Sequence, residues 1–351
     1  MLLKKINRIS FAILISLLLV SCQKNNAPTE THDSVLAFGT FVEITLVNVS
    51  AEDRELVLKQ IEKELRYYHY AYHPWKAGPT GRINQLLAAT GEFTANPSVI
   101  PLIRLSKKYS KQSKGLFNPA IGRLIKLWGY QEEFPPEGGP IPSAEEIKAI
   151  LDQKPSMDTI TINGIRVSNT NSVNKLDFGG IAKGYAIDLI LKHIREMGVK
   201  DAIINTGGDL KVIGQHGNKP WHIGIRDPRG EGVIAGLELH DNEAAFTSGD
   251  YERFFKLAGK RYHHILDPRT GQPARNSQSV TVIHTDAALA DAAATALFIA
   301  GPEEWLDIAK SMHIQQAMLV DRNGKVYITE ALAKRVKFEK PGLDITTVKI
   351  R

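Results

Sequence analysis

The chain has one cysteine in 351 residues, Cys22. No internal disulfide is therefore available, and the fold must be held by a buried core. Runs of Lys or Arg and RNA-binding motifs are missing, so the net charge of +6 is not the footprint of a nucleic-acid partner. No apolar stretch beyond residue 21 is long enough to span a bilayer. There is no internal period of the kind that builds solenoids or propellers. No Gly-Lys-Ser/Thr completes a Walker A loop, and Gly179, Gly180 and Gly184 have the wrong spacing for a dinucleotide fingerprint. What remains is a globular chain with 43% hydrophobic residues, enough for one large domain or two lobes.

The chain opens with Lys4, Lys5 and Arg8 ahead of an apolar run from Ile9 to Val20, the layout of an export signal. It closes on Leu19-Val20-Ser21-Cys22, which has the form of a bacterial lipobox; an ordinary signal with a fortuitous cysteine is the alternative. The sole cysteine at that register makes lipidation of Cys22 the expectation, and with it an extracytoplasmic, membrane-anchored lipoprotein facing the periplasm. Gln23, rather than Asp, after the lipid site favours the outer membrane. Loss of residues 1–21 removes three cations, leaving a formal charge of 6 − 3 = +3. Residues 22–34 read as a polar flexible tether, 35–340 as the folded domain and 341–351 as a basic tail.

The stretch from Lys175 to Met197 organises the rest. An extended run over residues 172–177 turns through Gly179-Gly180 into a helix with Ala186, Leu189, Ile190 and Ile194 on one face, stopped by Gly198. A glycine turn at a helix start, with Lys183 in the first turn, either cradles a phosphate on unpaired N–H groups or is simply a tight turn. Downstream, a buried strand runs into Asn205-Thr206-Gly207-Gly208-Asp209, where the glycines allow close approach of a ligand, with Asp209 as a ribose or amine acceptor, or form a β-bulge. His264 and Asp267 are three apart at a Pro turn and fit a metal pair, a base with its orienting acid, or a satisfied turn histidine. Asp291 and Thr295 are i and i+4 on an alanine-rich helix. A carboxylate and a hydroxyl there suit Mg²⁺, and the alternative is a helix N-terminal Asp with an internally bonded Thr.

Scaffold signals surround these motifs. A strand is expected over 35–47 and helices over 51–68 and 98–113. A capping box is expected at Ser143 and Glu146, a hairpin turn at Asn163-Gly164, antiparallel strands over 221–266, and a second hairpin about Asn323-Gly324. The aromatic run from Tyr67 to Trp75 either packs on a flat ring or belongs to the core.

The string Leu176 to Asp188, LDFGGIAKGYAID, resembles the signature of the ApbE-type flavin transferases. Further elements resemble the same family in the same order: Phe38-Gly39-Thr40, Gly115 to Ala120 with Leu127-Trp128-Gly129, Asn205 to Asp209, Ser248 to Arg253, His264 to Pro268, and Ala290 to Thr295. The resemblance implies an α+β fold of mixed, mainly antiparallel sheets with flanking helices, as a T-fold-related two-lobed single domain. It implies Mg²⁺-dependent transfer of the FMN moiety of FAD to a Thr or Ser hydroxyl of a separate target flavoprotein, with release of AMP. A flavin-binding lipoprotein without turnover, or an FAD pyrophosphatase, would use the same site. His264 would be the base. FAD contacts would fall on Thr40, Tyr72, Asp177, Gly179, Gly180, Lys183, Gly207, Gly208, Asp209, Ser248 and Asp267, with Tyr72 against the ring although the local motif departs from the commoner Ser-Thr-Tyr. Mg²⁺ would take Asp291, Thr295 and a backbone carbonyl near Ala182. The chain holds no clear copy of the family's acceptor motif.

Overall fold

A computed structural model describes residues 29–132 and 138–350. Cys22, the export signal and the first part of the tether lie outside them, as does part of the Pro/Gly loop near residue 135. In chain order the elements are β1 (Glu30–Ala37), β2 (Thr40–Val47), α1 (Ala51–Tyr72), α2 (Pro79–Ala88), β3 (Gly91–Thr94), α3 (Ile100–Gln112), α4 (Gly122–Leu127), α5 (Ala144–Leu151), β4 (Ile160–Asn163) and β5 (Arg166–Asn169). There follow α6 (Ala182–Glu196), β6 (Asp201–Thr206), β7 (Asp209–Ile213), β8 (Trp221–Arg226), β9 (Val233–Leu239), β10 (Ala244–Gly249), β11 (Phe254–Leu257), β12 (Lys260–His263) and β13 (Ser277–His284). The last are α7 (Ala287–Ser311), β14 (Gln316–Asp321), β15 (Val326–Thr329), α8 (Glu330–Ala333), β16 (Val336–Phe338) and β17 (Ile345–Val348).

A nine-stranded sheet in the order β1-β2-β6-β7-β10-β13-β14-β15-β17 is the backbone of the fold, antiparallel except for the β15–β17 pair. Strand alternation divides its two faces. In β14, Ala317 and Leu319 join the helix-side core, while Met318 and Val320 join the core against a smaller β16-β9-β8 sheet. With both faces covered, β7 and β13 read as nearly continuous buried runs. A third cluster about Trp128, Tyr130 and Phe255 sits beside α4 and α5. This is the expected α+β class, mainly antiparallel with flanking helices. Among the described residues no helix is long and apolar enough to cross a membrane.

Helices α6 and α7 cross where neither carries bulk. A Cβ on Gly184 would lie against the carbonyl of Ala287, 2.6 Å from its carbon and 2.9 Å from Ala288 N. The alanines of α7 from Ala287 to Ala296 are buried, so the helix gives up side-chain volume for close backbone approach. The helix kinks at Gly301, φ 67°, before Pro302, and resumes to Ser311.

Several sequence expectations are corrected. Residues 35–47 are a hairpin rather than one strand, turning at Phe38 and Gly39 with φ of 54° and 76°, the signs a tight two-residue turn requires. Its first strand begins at Glu30, so the end of the supposed tether is ordered. Helix α1 runs on through the aromatic run to Tyr72. Residues 172–177 make only one bridge, Lys175 to Ile121, and the C-terminal tail supplies the edge strand β17. The capping box at Ser143 and Glu146 stands as read, whereas the hairpin turn falls one residue later than expected, at Gly164-Ile165, with Asn163 ending β4 opposite Arg166.

Candidate functional site

The β1–β2, β6–β7 and β10 ends meet the starts of α6 and α7 at one end of the large sheet. A cleft of 1410 Å³ opens there, lined by Thr40, Tyr72, Asp177, Gly179, Gly180, Ala182, Lys183, Gly207, Gly208, Asp209, Ser248, His264, Asp291 and Thr295. These residues are scattered over more than 250 positions of sequence, and the antiparallel sheet collects them. Gly207 and Gly208 turn the β6–β7 hairpin at φ of 65° and 102°. A Cβ on Gly207 would stand 2.8 Å from Thr40 Oγ1, so the glycine keeps two hairpin tips in contact.

The start of α6 offers fewer open donors than its sequence promises. Gly179 N–H donates to Asp177 Oδ1 at 2.8 Å, and the N–H groups of Ile181 and Ala182 both reach the Phe178 carbonyl. Gly184 N–H donates to Asp291 Oδ2 at 3.1 Å. Positive charge at this wall is therefore carried mainly by the ammonium of Lys183, which pairs with Asp209 Oδ2. Asp209 Oδ1 accepts from Thr247 N–H at 2.9 Å. Burial alone would lower the Lys183 pKa, but the Asp209 and Asp291 carboxylates more than offset this and hold it above the ordinary lysine value.

Asp291 is almost wholly buried. Burial pushes its pKa well above the carboxylate range, Lys183 opposing and Asp209 reinforcing the shift. It is not the helix cap: Asp286 performs that task, its Oδ1 accepting from Leu289 N–H at 2.8 Å. Thr295 Oγ1 is 3.4 Å from the Asp291 carbonyl and 3.3 Å from Ser248 Oγ, and a Cβ on Gly180 would crowd it at 2.9 Å. A buried carboxylate with one neutral donor, a hydroxyl in a glycine cradle and the backbone about Ala182 make a hard-oxygen set that fits Mg²⁺. Among the described residues no group of three or more His, Cys, Asp or Glu suits a metal, so a cation here needs oxygens from substrate and water.

His264 and His263 are distinguished by their partners. His263 is buried, its Nε2 is 2.6 Å from the Ala274 carbonyl, and Ile265 N–H donates to its Nδ1, which leaves it a satisfied core residue. His264 faces the cleft, with Nδ1 3.2 Å from the Arg253 carbonyl. Burial, then the charge of Arg253, holds its pKa down to about 3, so the ring is neutral. The Nδ1–H donates to that carbonyl and leaves the Nε2 lone pair as an acceptor. The orienting partner is thus a backbone carbonyl and not Asp267. Asp267 is the one predicted contact that does not line the cleft: its carboxylate accepts from Arg269 N–H at 2.9 Å and pairs with the Arg269 guanidinium, fixing the Pro268 turn.

Tyr72 reaches the cleft from the end of α1 but is 4% exposed, stacked on Tyr68 at 5.6 Å between ring centroids. Burial raises its hydroxyl pKa, so it remains protonated. Sequence reasoning gave no role to Arg226, Tyr251 and Glu252, which also line the cleft, with Arg226 4.9 Å from the Tyr251 ring. Tyr251 and Glu252 fall inside the Ser248 to Arg253 element without being given a contact there, and Arg226 ends β8, where no spacing marks it.

The family model for the ApbE family matches residues 38–319. The FAD:protein FMN transferase of Rhodobacter capsulatus is 34% identical over 313 residues, 89% of this chain and 60% of that protein, so the chain spans rather less than two thirds of that relative. The enzyme of the same name from Klebsiella pneumoniae strain 342 is 34% identical over 254 residues, 70% of this chain and 75% of the relative. The crystal structure of the ApbE protein of Thermotoga maritima superposes with a TM-score of 0.79 at 32% identity, covering 89% of this chain and all of that one. The matched span contains Thr40 to Thr295, from which the site side chains described above come, and on sequence and fold alike the chain belongs to the ApbE family.

Proposed function

We propose that this protein transfers the FMN moiety of FAD to a Ser or Thr hydroxyl on a separate protein and releases AMP. One observation carries the reading: a neutral histidine with a free Nε2 shares a single cleft with a buried Lys183–Asp209–Asp291 charge group at the α6–α7 crossing. The relatives named FAD:protein FMN transferase support it. In this mechanism Lys183 neutralises the pyrophosphate of FAD, and Asp291, Thr295 and the Ala182 carbonyl hold Mg²⁺. Bound there, Mg²⁺ supplies Lewis-acid stabilisation of phosphate charge.

His264 Nε2 accepts the proton of the acceptor hydroxyl as its oxygen attacks the FMN phosphorus. A phosphoester forms, the pyrophosphate bond breaks, and AMP leaves. Burial and the charge of Arg253 lower the proton affinity of His264, and the negative charge of a bound pyrophosphate would raise it. Cys22, outside the described residues, is proposed as a lipid anchor holding the domain at the periplasmic face of a membrane.

The test incubates the protein with FAD, Mg²⁺ and a Thr-bearing acceptor protein. Flavin fluorescence that stays with the acceptor through denaturing electrophoresis, and is lost with EDTA, supports the transferase. AMP and free FMN without labelled acceptor make the enzyme a pyrophosphatase, and bound but unconverted FAD makes it a carrier.

A further inference from the structure

We propose that His73 is a specificity-determining residue of the cleft. Fixed as the neutral Nε2–H tautomer among aromatic side chains, it donates a hydrogen bond to a ring carbonyl or ring nitrogen of the heterocycle bound there. The proposal rests on the FAD reading of the cleft and adds a contact to it. His73 caps the C-terminal end of α1, directly after Tyr72, and lines the cleft together with Tyr72, Trp75 and Phe117.

The tautomer follows from what surrounds the ring. His73 Nδ1 accepts from the backbone N–H groups of Trp75 and Lys76, at 3.1 and 3.2 Å. A backbone N–H can only donate, so Nδ1 keeps its lone pair and the proton of the neutral ring sits on Nε2. Among the described residues that Nε2–H has no partner. Burial, then the charge of Lys76 and the His69 ring 5.5 Å away, hold the His73 pKa down to about 4, so the ring is neutral. His264 is the opposite case, since its Nδ1–H donates to the Arg253 carbonyl and its Nε2 keeps the lone pair. One cleft thus holds two neutral histidines of opposite tautomer, one able to take a proton at Nε2 and one able only to give a hydrogen bond there. That excludes His73 as a second base.

The donor is held in place before any ligand arrives. The turn that follows α1 is tied to the residues leading into Gly179-Gly180 through Asn84. Its Nδ2 donates to the Pro74 carbonyl at 3.3 Å and to the Leu176 carbonyl at 2.9 Å, and its Oδ1 accepts from Leu176 N–H at 2.6 Å. Thr80 Oγ1 donates to the Ala71 carbonyl at 2.7 Å and pins the end of α1 from the other side. A donor fixed in this way loses little freedom on binding. Its chemistry selects the ligand atom. A neutral N–H makes a weaker bond to phosphate than an ammonium does, and Lys183 supplies the ammonium of this cleft. Beside the rings of Tyr72 and Trp75, a neutral donor suits the polar edge of a flat heterocycle.

FAD carries two such heterocycles, isoalloxazine and adenine, and its halves tell them apart. Binding of FAD, FMN and ADP to the full-length protein is measured by flavin fluorescence and calorimetry, without acceptor protein and with and without Mg²⁺. His73→Asn keeps an oxygen where Nδ1 accepts and removes the Nε2–H donor. His73→Gln reaches the Nε2 position and gives up the acceptor of the turn. His73→Asn should therefore melt close to the wild type yet bind FAD about three- to tenfold more weakly. The same loss should appear with FMN alone if the donor meets isoalloxazine, or with ADP alone if it meets adenine. His73→Gln should melt lower and retain most of the affinity. Nitrogen-15 spectra of histidine-labelled protein should show His73 neutral with its proton on Nε2, a signal that moves when FAD binds. Wild-type FAD affinity in a folded His73→Asn, a proton on Nδ1, or an equal loss with FMN and ADP, whose shared group is phosphate, would overturn the inference and leave the transferase reading standing. A wild-type protein that binds no FAD removes both.

Discussion

Gly184→Ala gives a sharp test of how the fold builds the site. The residue has ordinary helical dihedrals, so alanine brings no backbone strain and would favour an isolated helix by about 1 kcal/mol. The obstacle is the neighbouring helix. An added Cβ would lie 2.6 Å from the Ala287 carbonyl carbon, whereas ordinary contact begins at 3.4 Å, so α6 and α7 must separate by at least 3.4 − 2.6 = 0.8 Å. Backbone atoms cannot step aside as a flexible side chain would. Overpacking of this kind costs about 1–3 kcal/mol, and the gain in helix propensity offsets part of it, so the net loss of stability is about 0–2 kcal/mol. Activity should fall further. The same displacement stretches the Gly184 N–H bond to Asp291, 3.1 Å at rest, and moves Asp291 and Thr295 away from Lys183. A shift near 1 Å at reacting groups reduces rate by about 10²-fold. AMP release measured against Mg²⁺ concentration should show a raised half-saturation and a lowered kcat, with thermal unfolding near that of the wild type. A Gly184→Ala enzyme with wild-type kcat and Mg²⁺ dependence would refute the claim that this crossing sets the site.

Three further outcomes follow from individual side chains. Because burial raises the Asp291 pKa above its unfolded value, its contribution to stability is fully present below the unfolded pKa and is lost as pH rises through the folded one. The metal-free protein should therefore melt lower at pH 8 than at pH 5.5 by an amount that Asp291→Asn removes, and Mg²⁺ should raise Tm more at pH 8; calorimetry with and without EDTA reads both. Lys211, whose side chain is 6% exposed, donates to Asp188 and to the Thr285 carbonyl at 2.6 Å each. Lys211→Met leaves the Asp188 carboxylate with only the Ala287 and Ala288 N–H groups and should cost about 3 kcal/mol in denaturant titration. Asp267→Ala should loosen the Pro268 turn and lower Tm while leaving FAD affinity by fluorescence titration unchanged, since the carboxylate stands outside the cleft.

The parts legible in the sequence were those whose signal is local. The capping box at Ser143 and the helix running from Lys183 to its Gly198 stop are each specified by a few adjacent residues and lie where expected, and the Asn163-Gly164 signal marks its hairpin to within one residue. The first hairpin was missed for a physical reason. Phe38 contributes a positive φ that few non-glycine residues adopt, and Glu30 to Ser34 are polar because an edge strand needs no second buried face. Asp267 shows the opposite failure, since three residues' separation from His264 fits an orienting acid, yet Arg269, two positions on, takes the carboxylate. The long-range facts, that Lys183 meets Asp209 and that the Arg253 carbonyl orients His264, are products of sheet register and leave no spacing to read.

The measurement that bears most directly on the central claim is the stoichiometry of products by intact-protein mass and AMP chromatography, with a Thr-bearing acceptor, FAD and Mg²⁺. The account predicts one AMP released for each FMN found on the acceptor by the wild-type enzyme. It also predicts a loss of about 10²–10⁴-fold in that rate for His264→Ala with FAD still bound. Equal rates of acceptor labelling by wild type and His264→Ala, or AMP release with no mass added to any acceptor, would contradict it.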